Sequence, residues 1–390
     1  MAEVMTSNAP IEYYSRGLRE KFRLDALKLN PPAIKPDQVY ANIDYKIDEN
    51  KYHARSQARI RARGLETSLP IGWPKALDGS LVWIGADLED EGQYVLRLGD
   101  AEKAELVAAL RHSKQGLDGH QVSWENFPLE NLGNRLDKAL DDIDRGKGFV
   151  IVRDLDPDYF SAEDFTIIYL GISRYIAENR GKQDQRGSTL MRAIETEKDE
   201  QAFHAYTVCD CLALITRSCS TKGGKSTLAS SWTVYNELAA TRPDLLHVLA
   251  KPDWPFDTIG RDPAYYRRAL LYFHEGEAIL NASRRFLLGH PRSPRTKGIP
   301  GLSEAQAEAL DALHFIAEKH EISPAIEKGD MRFFNNMGIL HRREALDNDE
   351  ACERHLIRIR LNNEAKCWKL PMPLNLAWAR VFEDDERATF

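Results

Sequence analysis

Short, strand-like runs separated by turns constrain the fold of this chain more than any other feature. They are rich in β-branched and aromatic side chains and span residues 209–218, 226–231, 269–276, 278–283, 331–336 and 355–361. Helix-like stretches at 233–250 and 303–320 interrupt them. A regular alternation of strand and helix is absent, which argues against a doubly wound parallel sheet. The pattern predicts an α+β fold, a double-stranded β-helix (jelly roll) with flanking and inserted helices.

Residues 1–75 differ from the rest, because they are charged, interrupted by prolines and poor in long apolar periodicity. Proline has no amide hydrogen and restricts the residue before it, so the stretch LNPPAIKPDQ predicts extended chain. We expect residues 1–75 to form an N-terminal extension that wraps the body and residues 76–390 to form the jelly-roll domain. The first elements predicted in that domain are a strand at 81–88, a helix at 100–116 with Asp100 as its N-cap, a helix at 131–148, a strand at 149–155 and a helix at 164–179.

The formal charge of −7 excludes a general electrostatic footprint for nucleic acid or for an anionic membrane surface. Recognition of an anion must therefore be local and built from a few placed arginines. No run approaches the roughly 18 apolar residues that cross a bilayer. The N-terminus has no apolar segment of the secretory type. We expect a cytoplasmic protein.

The five cysteines are few and odd in number, which argues against a disulfide framework. Cys209, Cys211 and Cys219 lie close together, but the paired CxxC spacing of structural zinc sites is absent. Two cysteines separated by one residue point to the same face of a strand. We expect Cys209 and Cys211 to pack in the core.

Four local features occur in a fixed order along the second half of the chain. Phe203 and His204 lead into the strand CDCLALI, and a Gly-Gly turn opens the segment TKGGKSTLASSWTVYNELAATRPDLL at 221–246. The segment KGDMRFFNNMGILHRREAL at 328–346 carries His341, and ERHLIRIRL at 353–361 carries two arginines. Any one of these strings is weak on its own, whereas their order and spacing together are specific.

From about residue 130 to 375, these features and the string GFVIVRDLDPDYF resemble the TauD/TfdA-type dioxygenases that depend on iron(II) and 2-oxoglutarate. The similarity is greatest to the fungal clavaminate-synthase-like branch. The resemblance implies a jelly roll with Fe(II) as cofactor and 2-oxoglutarate as co-substrate. It also implies oxidation of a small metabolite, commonly in secondary metabolism. Non-haem iron enzymes of this type hold the metal by two histidines and one carboxylate on one face.

Carried onto this sequence, the resemblance assigns His204 and His341 as metal ligands. Arg354, which lies 13 residues after His341 (354 − 341), takes the position of the arginine that binds 2-oxoglutarate. A guanidinium suits that role because its planar fork grips a carboxylate with two hydrogen bonds. Ser226 matches the hydroxyl that contacts the same carboxylate. Arg358, four residues further along an extended strand, faces the same side and could hold a substrate anion or brace the co-substrate.

The sequence departs from the family pattern at the carboxylate ligand, because the HxD motif reads His204-Ala205-Tyr206. By the resemblance, Asp210 corresponds to a later structural aspartate of the family. Six extended residues (210 − 204) span roughly 20 Å, so only a tight turn or a bulge could bring Asp210 back to the metal. Three alternatives stay open: a two-histidine site with water or an anion in the vacancy; ligation by Tyr206, Asp199 or Glu200; or a metal-deficient protein.

The leading function is therefore the iron- and 2-oxoglutarate-dependent oxidation of a small metabolite. Tyr206 is the candidate catalytic residue, and this activity depends on what stands in for the carboxylate ligand at its position. The alternative is a metal-deficient family member that catalyses a non-redox step or binds a small molecule. An anionic small-molecule substrate and a homo-oligomer are both compatible with the sequence. No nucleic-acid or membrane partner is expected.

Overall fold

The computed structural model describes residues 39–114, 122–184, 187–195, 201–219, 222–259, 264–347 and 354–383. The helices are α1 (Glu49–Ala62), α2 (Asp100–Ser113), α3 (Asn131–Asp144), α4 (Ala162–Ile176), α5 (Ser231–Thr241), α6 (Pro243–Ala250), α7 (Arg284–Leu288), α8 (Glu304–Lys319) and α9 (Met372–Phe382). Within the described ranges, no helix is both long enough and apolar enough to cross a membrane.

The strands are β1 (Val95–Arg97), β2 (Phe149–Arg153), β3 (Asn179–Gly181), β4 (Leu190–Glu195), β5 (Cys211–Ser218), β6 (Lys222–Gly223), β7 (Ser226–Ser230), β8 (Trp254–Asp257), β9 (Tyr265–Arg268), β10 (Leu271–His274), β11 (Glu277–Leu280), β12 (Gly289–His290), β13 (Ser293–Pro294), β14 (Met331–Asn335), β15 (Ile339–Arg343), β16 (Leu346–Asp347) and β17 (Arg354–Asn362).

One large sheet has seven strands in the order β1-β2-β14-β5-β17-β3, and β4 also pairs with β17. Its central strands are antiparallel, and only β1 and β2 run parallel. A smaller sheet is built on the antiparallel pair β7–β15. Single bridges extend that pair through Leu228 and Ile322 on one side and through His204 and His341 on the other.

The alternation of side chains along the central strands explains how the large sheet is buried on both faces. One face presents Val150, Ala213 and Ile359 to helices α2, α3 and α4. The other face presents apolar residues, Phe149, Leu212 and Phe334 among them, to the smaller sheet. The space between the two sheets is therefore lined from both sides, and the site described below lies there.

The described part of the N-terminal region docks on α8 through buried ion pairs. Arg55 on α1 donates to Asp311 at 2.9 Å and to Glu304 at 2.8 Å. Asp311 also accepts from Arg284 at 2.6 Å, and Arg284 in turn donates to the carbonyl of Asp44. Both arginines and Asp311 are buried, so this contact is part of the interior of the protein.

Three sequence expectations were wrong in detail. Residues 81–88 form a turn followed by a 3-10 helix, Gly85–Leu88, and the apolar run is explained by the burial of Leu81 and Trp83. The N-cap of α2 is Gly99 and not Asp100. The helix predicted at 233–250 divides into α5 and α6 because Pro243 has no amide hydrogen to continue the first helix.

The cysteine expectation was correct for burial and wrong for direction. Cys209 and Cys211 are both buried, but they pack in different clusters, Cys209 between the two sheets and Cys211 under the helices. The reason is that β5 begins only at Cys211, so the alternation of a strand does not extend back to Cys209.

Candidate metal centre and carboxylate site

His204 and His341 lie directly opposite each other on neighbouring segments of the smaller sheet. Their backbones exchange two hydrogen bonds, from His204 N to His341 O at 3.0 Å and from His341 N to His204 O at 3.1 Å. Residues paired in this way project to the same face, and the two imidazole ring centroids are 4.2 Å apart. Two nitrogen ligands of one metal ion, each about 2.0–2.1 Å from it, require rings at such a separation.

A hydrogen bond to the backbone determines which ring nitrogen of His204 carries the hydrogen. Its Nδ1 lies 3.1 Å from the carbonyl oxygen of Ala202. Since a carbonyl only accepts, Nδ1 carries the hydrogen and Nε2 keeps its lone pair. A backbone partner on one ring nitrogen is the usual way in which the other is oriented for a metal.

His341 is held in the neutral form that a metal ligand needs. Burial lowers the pKa of His341 well below its usual value, and the nearby His204, Arg358 and Arg332 lower it further. Its Nδ1 is buried and has no hydrogen-bond partner in the described ranges. The two histidines therefore offer neutral nitrogen donors that fit a divalent metal ion.

Tyr206, which the resemblance assigns to the position of the carboxylate ligand, packs beside His204. Its ring centroid is 5.4 Å from that of His204 and 5.1 Å from that of Phe286. In the described part of the chain, no group of three histidine, cysteine, aspartate or glutamate side chains could hold a metal ion. Asp199 and Glu200, the other candidate ligands from the sequence, lie outside the described residues.

Asp210 faces away from this pair, as expected. Its carboxylate accepts from the Asn362 side chain at 2.6 Å and from the Asn363 backbone at 3.2 Å. Burial raises the pKa of Asp210 to about 7, although these hydrogen bonds oppose the shift. The residue therefore fixes the end of β17 and is not part of the metal centre.

Ser226, Arg354 and Arg332 form a polar group between the two sheets. Ser226 lies at the start of β7, and its hydroxyl oxygen accepts from Arg354 at 2.8 Å and from Arg332 at 2.6 Å. Both arginines are buried on the large sheet, Arg354 on β17 and Arg332 on β14. Three donors from two sheets thus meet at one point, which suits a carboxylate.

Arg332 was not selected from the sequence, although β14 carries a signal for it. Met331 and Phe333 pack under the helices, so the alternation of the strand directs Arg332 and Phe334 into the space between the sheets. An arginine at an inward position of an otherwise apolar strand needs an anionic or polar partner. That requirement, and not the resemblance, could have identified it.

Arg358 lies on the same strand and the same face as Arg354 but contacts different partners. Its Nε donates to Gln183 at 3.1 Å, and another of its nitrogens lies 3.0 Å from the sulfur of Met191. It is close enough to His341 to lower the pKa of that imidazole. Arg358 thus flanks the histidines without joining the group at Ser226.

The same apolar side chains lie beside His341 and beside the polar group at Ser226. Leu228 pairs with His341 across the smaller sheet, and the Phe334 ring centroid is 4.9 Å from that of His341. Leu228, Phe334, Ser226 and Arg332 line one pocket. Ser226 lies two residues from Leu228 on one strand, which is about 7 Å at ~3.4 Å per residue. A short dicarboxylic acid spans that distance.

Comparison with known proteins identifies a matching family and two relatives. The model of the family described as taurine catabolism dioxygenase TauD, TfdA family, matches residues 112–360. A taurine hydroxylase-like protein, SAT17 of Stachybotrys chartarum, is 30% identical over 79% of this chain and 86% of its own length. FR-33289 synthase of Streptomyces rubellomurinus is 26% identical over 74% of this chain and 91% of its own length.

Solved structures of non-haem iron oxygenases share the fold. An asparagine oxygenase in complex with Fe(II), 2S,3S-3-hydroxyasparagine and succinate aligns with a TM-score of 0.54 and 14% identity over 69% of this chain and 93% of that one. The oxygenase OrfP in complex with Fe and alpha-ketoglutaric acid aligns with a TM-score of 0.52 and 14% identity over 69% and 94%. The predicted α+β jelly roll is confirmed.

Proposed function

The chain belongs to the TauD/TfdA family of dioxygenases, and on that premise we propose that it catalyses the iron(II)- and 2-oxoglutarate-dependent oxidation of a small metabolite. The observation that carries the proposal is the facing pair of His204 and His341, whose ring centroids are 4.2 Å apart. The polar group at Ser226 supports it, because Ser226 lies only two residues along β7 from Leu228, the cross-strand partner of His341. A co-substrate bound near the metal could extend to this group.

His204 and His341 would hold the metal through their neutral imidazoles. Iron(II) bound there supplies the redox chemistry that activates dioxygen. The contribution of the protein is to fix both nitrogens on a backbone ladder and to keep His341 unprotonated. Leu228 and Phe334 exclude water from the neighbouring space, which strengthens the charge interactions within it.

Arg354 and Ser226 would bind the distal carboxylate of 2-oxoglutarate. Their separation of 2.8 Å lets a guanidinium and a hydroxyl act on one carboxylate. Arg358, which faces the same space from the middle of β17, would hold an anionic group of the substrate or brace the co-substrate. The proposed substrate class is thus a small, anionic molecule, and we place the reaction in secondary metabolism in the cytoplasm.

Tyr206 supports a second candidate function. A tyrosine in place of an aspartate removes the carboxylate ligand, and with it one formal negative charge, from the metal site. The ring packs between His204 and Phe286. A protein that binds iron poorly for this reason would catalyse a non-redox step or bind a small molecule in the same pocket.

The test compares wild-type protein with His204→Ala and His341→Ala variants. Iron content is measured after anaerobic loading, and the formation of succinate from 2-oxoglutarate is followed in air. We expect the wild type to bind iron and form succinate, and both variants to lose these properties. The control is His53→Ala, because His53 is exposed on α1. Wild-type protein that holds no more iron than the variants and forms no succinate contradicts the oxidation and favours the second candidate.

A further inference from the structure

The hydroxyl of Ser226 lies between two buried guanidinium groups, an arrangement that the resemblance does not require. Arg332 reaches it from β14 at 2.6 Å and Arg354 from β17 at 2.8 Å. Arg332 and Arg354 are 6% and 5% exposed. Two arginines from different strands therefore converge on one atom of the opposite sheet.

The directions of these hydrogen bonds determine where the serine proton goes. A guanidinium has five N–H donors and no acceptor, so both arginines must donate to the serine oxygen. The two lone pairs of that oxygen are then used, and its hydrogen is left to be donated to a third group. A hydroxyl polarised by two cations is a strong donor toward an anion.

The three groups match the acceptor capacity of one carboxylate. An ionised carboxylate accepts at about four sites on two oxygens. A guanidinium on each side and a hydroxyl between them supply donors for both oxygens at once. The pocket that continues from Ser226 and Arg332 is apolar, with Leu228 and Phe334 in its lining. A ligand here has its charge at the arginines and a short carbon chain toward the histidines.

We infer that Arg332 is a second arginine of the co-substrate site and binds the distal carboxylate together with Arg354 and Ser226. This inference rests on the proposed function and deepens it, because it restricts the co-substrate to a dicarboxylic acid. A 2-oxo acid without the distal carboxylate would form none of the charge-assisted hydrogen bonds that these two guanidinium groups offer to a carboxylate, so it should bind more weakly.

The experiment measures binding of glutarate to the metal-free protein by calorimetry, and separately the KM for 2-oxoglutarate with iron. Glutarate has both carboxylates but no 2-oxo group, so its binding does not depend on the metal. The variants are Arg332→Met, Arg332→Lys, Arg354→Met and Ser226→Ala. The matched control is Arg217→Met, since Arg217 is on the same sheet but lies over the Phe165 ring on the helix-covered face.

We expect Arg332→Met and Arg354→Met each to weaken glutarate roughly 10- to 100-fold, the loss of a charge-assisted hydrogen bond. Arg332→Lys should retain part of the affinity, and Arg217→Met should bind like the wild type. Thermal unfolding of each variant separates a lost contact from a lost fold. If Arg332→Met proves unstable, Arg332→Lys and Ser226→Ala carry the test.

The outcomes separate this inference from the proposed oxidation. If the Arg332 variants bind glutarate as the wild type does and have an unchanged KM for 2-oxoglutarate, Arg332 is not a second arginine of the co-substrate site. That result leaves the proposed oxidation intact. If glutarate binding depends on Arg332 but the protein does not consume 2-oxoglutarate, the inferred carboxylate site stands and the proposed oxidation is contradicted. Wild-type protein that neither binds glutarate nor consumes 2-oxoglutarate contradicts both.

Discussion

Replacing Asp311 by asparagine should destabilise the protein by about 3–5 kcal/mol, the range for breaking a buried ion pair. The carboxylate bonds to Arg55 at 2.9 Å and to Arg284 at 2.6 Å, and all three side chains are at most 7% exposed. Burial already lowers the pKa of Arg284, and Asp311 is the main group that opposes this shift. The substitution would leave two buried cations without the charge that they share.

The magnitude follows from the contacts that remain. Each pair contributes about 4 kcal/mol at an effective dielectric constant near 20, so the gross loss is roughly 8 kcal/mol. The amide oxygen of asparagine still accepts one hydrogen bond. Arg55 keeps Glu304, and Arg284 keeps the carbonyl of Asp44. These contacts offset about half of the gross loss, which brings the expected value into the range above.

Urea unfolding monitored by circular dichroism measures the change in the free energy of unfolding. The matched control is Glu304→Gln, because Glu304 also pairs with Arg55 but its side chain is 60% exposed. That variant should lose no more than about 1 kcal/mol. A loss below 1 kcal/mol for Asp311→Asn would refute the reasoning, since the buried charges would then be satisfied without the carboxylate.

Three further predictions concern single positions. Tyr206→Asp should bind iron(II) more tightly than the wild type and than Tyr206→Phe in calorimetry; equal affinities mean that position 206 does not face the metal. Because burial raises the pKa of Asp210 to about 7 from an unfolded value near 4, stability should fall as the pH rises between these values. Asp210→Asn should flatten that profile in pH-dependent urea titrations, and an unchanged slope contradicts the assignment. Gly329→Ala should destabilise by several kcal/mol on thermal unfolding, because φ is +94° and a Cβ would lie 2.0 Å from the Leu155 carbonyl oxygen; a wild-type melting temperature contradicts this close approach.

The residues that the sequence assigns to the proposed site were selected from local order along the chain. His204 and His341 could be selected because each stands within a recognisable string, and Arg354 and Arg358 share a face because β17 is extended. The direction of Arg332 follows from the same alternation, but its partner Ser226 is 106 residues away, and no local pattern gives that distance.

Long-range contacts account for most of what the sequence did not predict. The apolar run at 81–88 reads as a strand, yet Trp83 is buried by packing under Phe149, and its ring nitrogen donates to the Lys147 carbonyl. In the sequence, Arg55 is one of several charged residues on a polar helix, which indicates an exposed side chain. The packing of α1 on α8 buries it instead. Tertiary contacts overrode the local pattern at both positions.

The cross-strand pairing of His204 and His341 affects how this protein could change its chemistry. Reciprocal amide bonds set the spacing of the two imidazoles, so this spacing does not depend on the residue at position 206. A carboxylate, a small residue or an aromatic ring can therefore be exchanged there while the two nitrogen donors stay in register. Under the proposed function, the two histidines are the scaffold of the metal centre and position 206 carries the group that tunes its reactivity. One substitution at position 206 could then alter the reactivity without rebuilding the scaffold.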